Sequence, residues 1–166
     1  MNTTETFCGE SGRYIVAFEN WVLAHKPDAI ADHICYKCDS TREFESIRTI
    51  FEPESGLIYQ SIIAGRRIAI IKLPTPITTS LGDIKFLELS DQKPDGSQTS
   101  GFDHIEIFPR TGTMEELVAS LESSGAKFEK VVRPHHTTFD TTIFESFKIR
   151  LEPESLIAKI KREEMK

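Results

Sequence analysis

The sequence lacks the features that mark several common classes of protein. Its 166 residues carry 20 basic and 26 acidic side chains, a net charge of −6. No basic surface is therefore expected to bind nucleic acid or an anionic membrane. No apolar run approaches the roughly 20 residues that span a bilayer. The N-terminus is polar and has no apolar signal core, so we expect a cytoplasmic protein.

Cysteine is scarce, which excludes a disulfide framework. The three cysteines are Cys8, Cys35 and Cys38, and an odd number of this kind suits a reducing compartment. The spacing of Cys35 and Cys38 is also found in redox and zinc sites. However, the surrounding pattern predicts a strand, in which these two side chains point to opposite faces. We therefore predict no disulfide between them.

The most informative feature present is an Asp-His-Ile triplet that occurs twice, at residues 32–34 and 103–105. Both copies lie in stretches where apolar side chains alternate with others at period 2, which predicts strands. In each copy the isoleucine and the histidine point to opposite faces. A single histidine on the outer face of a strand is unremarkable, but its repetition at the same place in two half-chains indicates an internal repeat.

The segments that follow the two triplets also correspond. Ser40–Glu43 and Thr113–Glu116 are capping-box patterns, and each opens an amphipathic helix. Each helix is followed by three strand-like stretches. These are Leu57–Ile63, Arg67–Leu73 and Ile84–Leu89 in the first half, and Lys127–Val132, Thr137–Ile143 and Phe147–Leu151 in the second. Each half therefore reads strand–helix–strand–strand–strand.

This repeat predicts an α+β fold of two tandem βαβββ modules that form a curved mixed sheet around a cleft. The modules span residues 31–90 and 102–157, and with a short C-terminal helix they make residues 31–166 one domain. Residues 1–30 form an N-terminal extension, in which 1–11 are expected to be a frayed tail and 12–26 a helix ended by Pro27.

Period 2 also predicts which side chains face the cleft. The inward set is His33, Cys35, Glu88, His104, Glu106, Lys148, Arg150 and Glu152. Four of these make a candidate metal site, with one histidine and one carboxylate from each half: His33, Glu88, His104 and Glu152. Imidazole with carboxylate suits a divalent ion such as Zn, Ni, Fe or Mn. A carboxylate that can leave the metal, here Glu152, is the candidate catalytic base. The alternative is that each residue alone is simply solvated or hydrogen-bonded.

Three further side chains are candidates for substrate binding. His136 and Asp140 share one face of a predicted strand, opposite Phe139. We expect them to line the same cleft as His33, although a polar hairpin at a sheet edge would give the same pattern. Arg150 would attract an anionic substrate if it lines the cleft.

These motifs resemble those of the vicinal oxygen chelate superfamily, and more closely its YecM-like branch. The resemblance rests on Asp32–Tyr36, Gly65–Ile68, Leu87–Leu89 and Phe102–Glu106, together with the N-terminal helix. It implies metal positions at His33, Glu88 and His104. The fourth position in that pattern is a Glu inside the last strand. Glu152 stands at the end of that strand, before Pro153, and an alternative alignment puts Leu151 opposite Glu88.

The preferred functional hypothesis is a metal-dependent enzyme of this superfamily, an isomerase or lyase that acts on a small oxygenated molecule. A second hypothesis is a non-catalytic protein that sequesters a small molecule in the same cleft. A third is a structural domain whose acidic outer surface serves a protein partner.

Overall fold

The computed structural model describes residues 3–134 and 136–164. The chain forms five helices and eight strands within these residues. In chain order they are α1 (Thr4–Gly9), α2 (Gly12–His25), β1 (Ala29–Lys37), α3 (Thr41–Phe51), β2 (Ile58–Ile63), β3 (Arg66–Thr79), β4 (Gly82–Ser90), β5 (Gly101–Pro109), α4 (Met114–Ser123), β6 (Glu129–Val132), β7 (Thr137–Phe144), β8 (Phe147–Leu151) and α5 (Leu156–Glu164).

The strands form one sheet in the order β2-β3-β4-β1-β5-β8-β7-β6. Within the first module β1 is parallel to β4, and within the second β5 is parallel to β8. The two modules meet where β1 and β5 pair antiparallel. The predicted duplication is therefore confirmed, since the second half of the strand order mirrors the first across the β1–β5 seam.

Matched caps start the helices of the two modules. At α4 the Thr113 side chain accepts from the Glu116 amide at 3.1 Å, and the Glu116 carboxylate accepts from the Thr113 amide at 2.7 Å. At α3 Ser40 accepts from the Glu43 amide at 3.1 Å. The Glu43 carboxylate instead accepts from Asp39, one residue before the cap. Both arrangements satisfy amides that the first helical turn leaves without partners.

The hydrophobic core lies between the helices and one face of the sheet, here called the convex face. The strands contribute the apolar side chains that alternate with the polar set, among them Ile34, Leu87, Ile105 and Ile149, all at most 1% exposed. The helices contribute one stripe each, as their 3.6-residue periodicity predicts. The opposite face of the sheet, here called the concave face, carries the inward-pointing polar side chains.

The N-terminal segment differs from the expected frayed tail, and that prediction is wrong. Residues Thr4–Gly9 form α1, whose Phe7 is only 1% exposed. The Phe7 ring lies 5.0 Å from Tyr36, 5.6 Å from Phe51 and 5.4 Å from Phe102, measured between centroids. A six-residue polar helix has little stability of its own. Its order comes from one aromatic anchor that touches both modules, which local sequence patterns do not reveal.

All three cysteines are free thiols. Cys38 packs in the hydrophobic core, whereas Cys35 is outside it and lies against Glu88 on the concave face. None of the helices in residues 3–134 and 136–164 is long and apolar enough to cross a membrane.

The burial of Phe7 makes a testable prediction. The Phe7→Ala variant should lose about 3–5 kcal/mol of unfolding free energy, because it empties an aromatic site in the core. Denaturant titration followed by circular dichroism measures this loss. Val16→Ala is the matched control, since Val16 is 61% exposed on α2 and should change stability by less than about 0.5 kcal/mol. Equal effects of the two substitutions would contradict the anchoring role of α1.

Candidate metal centre

The two central strands bring the histidines together. In the β1–β5 register His33 is the partner of Glu106, and Cys35 is the partner of His104. On the other side of β1, Cys35 is the partner of Glu88 on β4. The five side chains therefore occupy neighbouring positions on the concave face, where period 2 predicted an inward orientation.

A β-bulge lies beside each histidine. In the β1–β5 ladder Ala31 pairs with Ile107 and His33 with Glu106, so Asp32 is the extra residue on β1. Nearer the other end of the ladder the pairing skips Asp103 on β5 in the same way. Successive side chains of a regular strand point apart, but a bulge re-aims the extra residue. Each aspartate consequently reaches the histidine that follows it.

These aspartates fix the orientation of both imidazoles. Nδ1 of His33 lies 2.8 Å from Asp32, and Nδ1 of His104 lies 2.7 Å from Asp103. Because a carboxylate accepts, Nδ1 carries the proton in both rings and Nε2 is turned toward the concave face. Metal-binding histidines commonly have such a carboxylate partner behind them. The aspartates were not singled out from the sequence, although their repetition before both histidines was a usable signal.

The distances between donor atoms match one ion. His33 Nε2 lies 3.4 Å from Glu88 and 3.5 Å from Glu106, and His104 Nε2 lies 3.4 Å from the same Glu106 oxygen. Ligand atoms placed about 2.1 Å from a tetrahedral ion are about 3.4 Å apart. These three separations are close to the edge length of a coordination tetrahedron, and His33, His104 and Glu106 form one group of mutually close donors.

Two buried atoms of the cluster lack hydrogen bonds. Nε2 of His33 and Oε2 of Glu106 have no hydrogen-bond partner among the described residues. His33 is 0% exposed and Glu106 is 6% exposed. An unsatisfied polar atom in the interior costs about 1–3 kcal/mol, and more when it is charged. Both atoms are potential metal ligands that face the cluster, so the residues present fit a divalent ion.

The charges of the cluster are strongly coupled. Burial lowers the pKa of His33, but Glu106, Asp32 and Glu88 together outweigh it and raise that pKa well above its usual value. Burial raises the pKa of Glu88, yet the neighbouring His33 prevails and holds it at about 2. The pKa of Glu106 is also lowered, since His33 and His104 outweigh its burial. In the metal-free protein, protonated His33 supplies the positive charge that these carboxylates require.

Cys35 is a further member of the cluster. Its thiol lies 3.4 Å from Glu88 and is fully buried. Burial, followed by the charge of Glu88, raises its pKa well above the usual value. Period 2 had turned both Cys35 and Glu106 inward, but neither was in the predicted ligand set. Within the described residues the donor groups compatible with an ion are His33, His104 and Glu106, and Cys35, Glu88 and His104.

The register identifies the counterpart of Glu88 in the second module. Glu88 pairs with Cys35, two residues after His33, and Arg150 pairs with Glu106, two residues after His104. Arg150 therefore stands where the first module has Glu88, and the alternative alignment with Leu151 is wrong. Arg150 bonds Asp140 through two contacts of 2.9 and 3.0 Å, and it lies 3.4 Å from Nε2 of His104.

Glu152 is buried, at 3% exposure, just after β8, and its amide donates to the Ile107 carbonyl of β5 at 3.0 Å. One of its oxygens lies 3.2 Å from His136, and the other accepts from Lys159 on α5 at 2.6 Å. Glu152 belongs to neither of the two donor groups found among the described residues. Its role as a ligand or a base stays a prediction.

Of the predicted substrate-binding residues, Arg150 lies next to a donor of the cluster and Asp140 is linked to that donor through Arg150. Asp140 contacts Arg150, which touches His104, whereas His136 contacts Glu152. The side chain of His136 is 40% exposed, so it also meets solvent. The neighbouring His135 lies outside the described residues.

Two cavities differ in their position relative to the cluster. One of about 260 Å³ is lined by residues that include Lys37, Asp103 and Lys148, so it lies on the Nδ1 side of His104. A larger one of about 680 Å³ lies between α1 and residues 74–77. Among the residues that the structure describes, neither cavity is lined by a donor of the cluster.

The coupling of His33 to Glu106 is testable by NMR. In the metal-free Glu106→Gln variant the pKa of His33 should fall, because the largest charge that raises it is removed. A ¹⁵N-detected pH titration of the imidazoles measures it, with Glu129→Gln on exposed β6 as the control. An unchanged His33 pKa in Glu106→Gln would refute the coupling.

The same pKa predicts a pH dependence of stability. His33 has a folded pKa above its unfolded value of about 6.5. Its stabilising contribution is therefore complete below that pH and is lost as pH rises through the folded pKa. Unfolding free energies of the metal-free protein, measured across this window, should decline less in Glu106→Gln than in the wild type. Parallel declines in the two proteins would contradict the assignment.

Comparison with solved structures supports the fold. The structural-genomics protein EC4020 aligns with a TM-score of 0.75 and 22% identity, over 96% of this chain and 92% of that protein. Streptomyces coelicolor methylmalonyl-CoA epimerase in complex with 2-nitronate-propionyl-CoA aligns less well, with a TM-score of 0.47 and 17% identity. That alignment covers 74% of this chain and 94% of the epimerase.

Comparison by sequence establishes the family. No curated protein matches this chain significantly. The family described as YecM protein matches residues 13–161, which include both modules and every member of the cluster. The paired βαβββ topology is the one that the resemblance noted in the sequence implied. The chain belongs to the YecM protein family.

Proposed function

We propose that this protein is a divalent-metal-dependent enzyme that performs isomerase- or lyase-type proton transfer on a small oxygenated anion. The observation that carries the proposal is the set of three distances of 3.4–3.5 Å that link two Nε2 atoms with the carboxylates of Glu88 and Glu106. Nε2 of His33 and Oε2 of Glu106 are left without hydrogen bonds there. His33, Glu88, His104 and Glu106 would hold the ion. When bound, it would supply Lewis-acid polarisation of a substrate oxygen.

The protein side chains have separate tasks in this proposal. Asp32 and Asp103 hold the two imidazoles with Nε2 forward, so that the ligand set is preorganised. Arg150 keeps its charge beside His104 while Asp140 fixes its plane. Its remaining N–H groups can therefore bind a carboxylate or phosphate oxygen of the substrate. Lys148 lies beside His104 in the strand register, and Lys37 is paired with Asp103 at 2.8 Å, so both add positive charge behind His104.

Glu152 is the proposed general base. Its carboxylate is buried and held in place by Lys159, and His136 links it to solvent. A fixed carboxylate can remove a proton from a carbon next to a polarised carbonyl and return it to another position. His136 can exchange that proton with water, because its ring is half-exposed.

A non-catalytic sequestering protein is the second candidate. The specific observation in its favour is that both oxygens of Glu152 are already engaged, by His136 and Lys159. If those contacts persist with substrate bound, the cleft would hold a small molecule without a free base. Metal content and proton exchange separate the two candidates.

The metal site is tested by substitution. Wild-type protein reconstituted with zinc should retain about one equivalent, and His104→Ala should retain none, because Nε2 of His104 faces the donors and not the core. His25→Ala is the control, since His25 lies at the end of α2, where it contacts Ser124 and Trp21 and no member of the cluster among the described residues. Glu152→Ala should keep its metal. Elemental analysis after dialysis measures the zinc content of each protein, and circular dichroism confirms that each is folded. One full equivalent of zinc in folded His104→Ala would contradict the proposal.

The catalytic role is tested by hydrogen exchange. Metal-loaded protein in D₂O is incubated with a panel of small 2-oxo and 2-hydroxy carboxylates, and proton NMR follows deuterium uptake at carbon. Wild type should accelerate exchange on at least one member of the panel. Glu152→Gln should lose that acceleration by about 100-fold or more while keeping its metal. Stoichiometric ligand binding without exchange would favour the sequestering protein instead.

A further inference from the structure

We infer that Cys35 supplies a thiolate ligand to this metal centre, which makes it a mixed nitrogen, oxygen and sulfur site for zinc-like ions. The inference rests on the proposed function, since it concerns the same ion. It goes further by naming a sulfur donor and therefore the class of metal. A site built from imidazole and carboxylate alone would not discriminate among divalent ions in this way.

The position of Cys35 between two other donors is the first argument. On β1 it is the register partner of Glu88 on one side and of His104 on the other. Its sulfur, a Glu88 oxygen and a His104 nitrogen all lie within 4.8 Å of one another. Glu88 is in turn 3.4 Å from the unpartnered Nε2 of His33. The other group, His33, His104 and Glu106, shares His104 with this one, so an ion bound by Cys35, Glu88 and His104 would lie beside both groups.

The relation between the modules is the second argument. Cys35 follows His33 by two residues, just as Glu106 follows His104, and the two pairs face each other across β1 and β5. Cys35 therefore holds in the first module the place that a carboxylate holds in the second. The fourth place is taken by Arg150, which has no lone pair to offer a metal. The first module thus contributes His33, Cys35 and Glu88, and the second His104 and Glu106.

The surroundings of the two buried cysteines differ. Cys38 packs among apolar side chains of the core, as a structural cysteine does. Cys35 is equally buried, but its thiol is directed at a carboxylate and lies among ionised groups. A small apolar residue would fill this space at lower cost than a thiol between charges. We therefore expect the sulfur of Cys35 to bind a polar or charged partner. Cys38, which is buried in the core, serves as the comparison residue.

Coordination by Cys35 has a definite chemical balance. The S–H bond breaks, the sulfur lone pair bonds the divalent ion, and the proton leaves to solvent, without any change of oxidation state. Thiolate ligands favour zinc and cobalt over magnesium, calcium and manganese. Zinc is thus the expected occupant under physiological conditions.

Cobalt substitution tests the inference in the full-length protein. Metal-free protein is titrated with Co(II), and the near-ultraviolet spectrum is recorded at one bound equivalent. Wild type should show the intense thiolate-to-cobalt charge-transfer band. Cys35→Ser should lose that band, and Cys38→Ser should keep it. One equivalent of bound cobalt without the band in wild type, or a band that persists in Cys35→Ser, would overturn the inference.

A second measurement needs no variant and covers the case in which Cys35→Ser fails to fold. X-ray absorption of the zinc-loaded wild type should show one sulfur at about 2.3 Å in addition to nitrogen and oxygen. A shell of nitrogen and oxygen alone would overturn the thiolate but leave the proposed enzyme intact. Failure of both cobalt and zinc to bind at all would overturn the proposed function together with the thiolate.

Discussion

The hydrogen bonds that His33 and His104 donate to the aspartates before them, Asp32 and Asp103, determine the chemistry of the concave face. Each bond depends on a β-bulge, because a regular strand would direct the aspartate and the histidine to opposite faces. With Nδ1 engaged behind the ring, only Nε2 is free to meet Glu88 and Glu106. The β-bulge in the backbone therefore also determines which imidazole nitrogen faces the other donors. The positions of those other donors follow from the register of the strands.

The two modules have the same backbone plan but different charges at matching positions. Glu88 in the first module corresponds to Arg150 in the second, and Cys35 corresponds to Glu106. A symmetric pair of modules would surround an ion with equivalent donors on every side. Replacing one carboxylate by a guanidinium removes a ligand and adds a cation near His104. The side of the cluster that carries Glu88 is therefore suited to a metal ion, and the side that carries Arg150 is suited to an anion.

Much of this arrangement could be predicted from the sequence, and the failures have physical causes. Alternation at period 2 predicted the inward orientation of the five clustered donors and of Arg150, and the repeated triplet with its capping boxes predicted the modules. Strand register could not be predicted, because it is fixed by pairing between distant segments. The equivalence of Arg150 and Glu88 was missed for this reason. The bulges were also missed, since a single extra residue leaves the apolar alternation almost unchanged. The order of α1 depends on where Phe7 packs, and its polar helix gave no local sign of that.

The antiparallel pairing of β1 with β5 also has a consequence for the state of the chain during its synthesis. β1 forms one side of the donor cluster, yet its neighbour β5 is not complete until residue 109. While the chain emerges from the ribosome, β1 is the open edge of the first module, with His33 and Cys35 on a surface that β5 has not yet bordered. An open edge can pair with another chain, and a thiol beside histidine and carboxylate can capture a metal prematurely. The pairing with β5, which includes the bulge at Asp32, removes this open edge once residue 109 is in place.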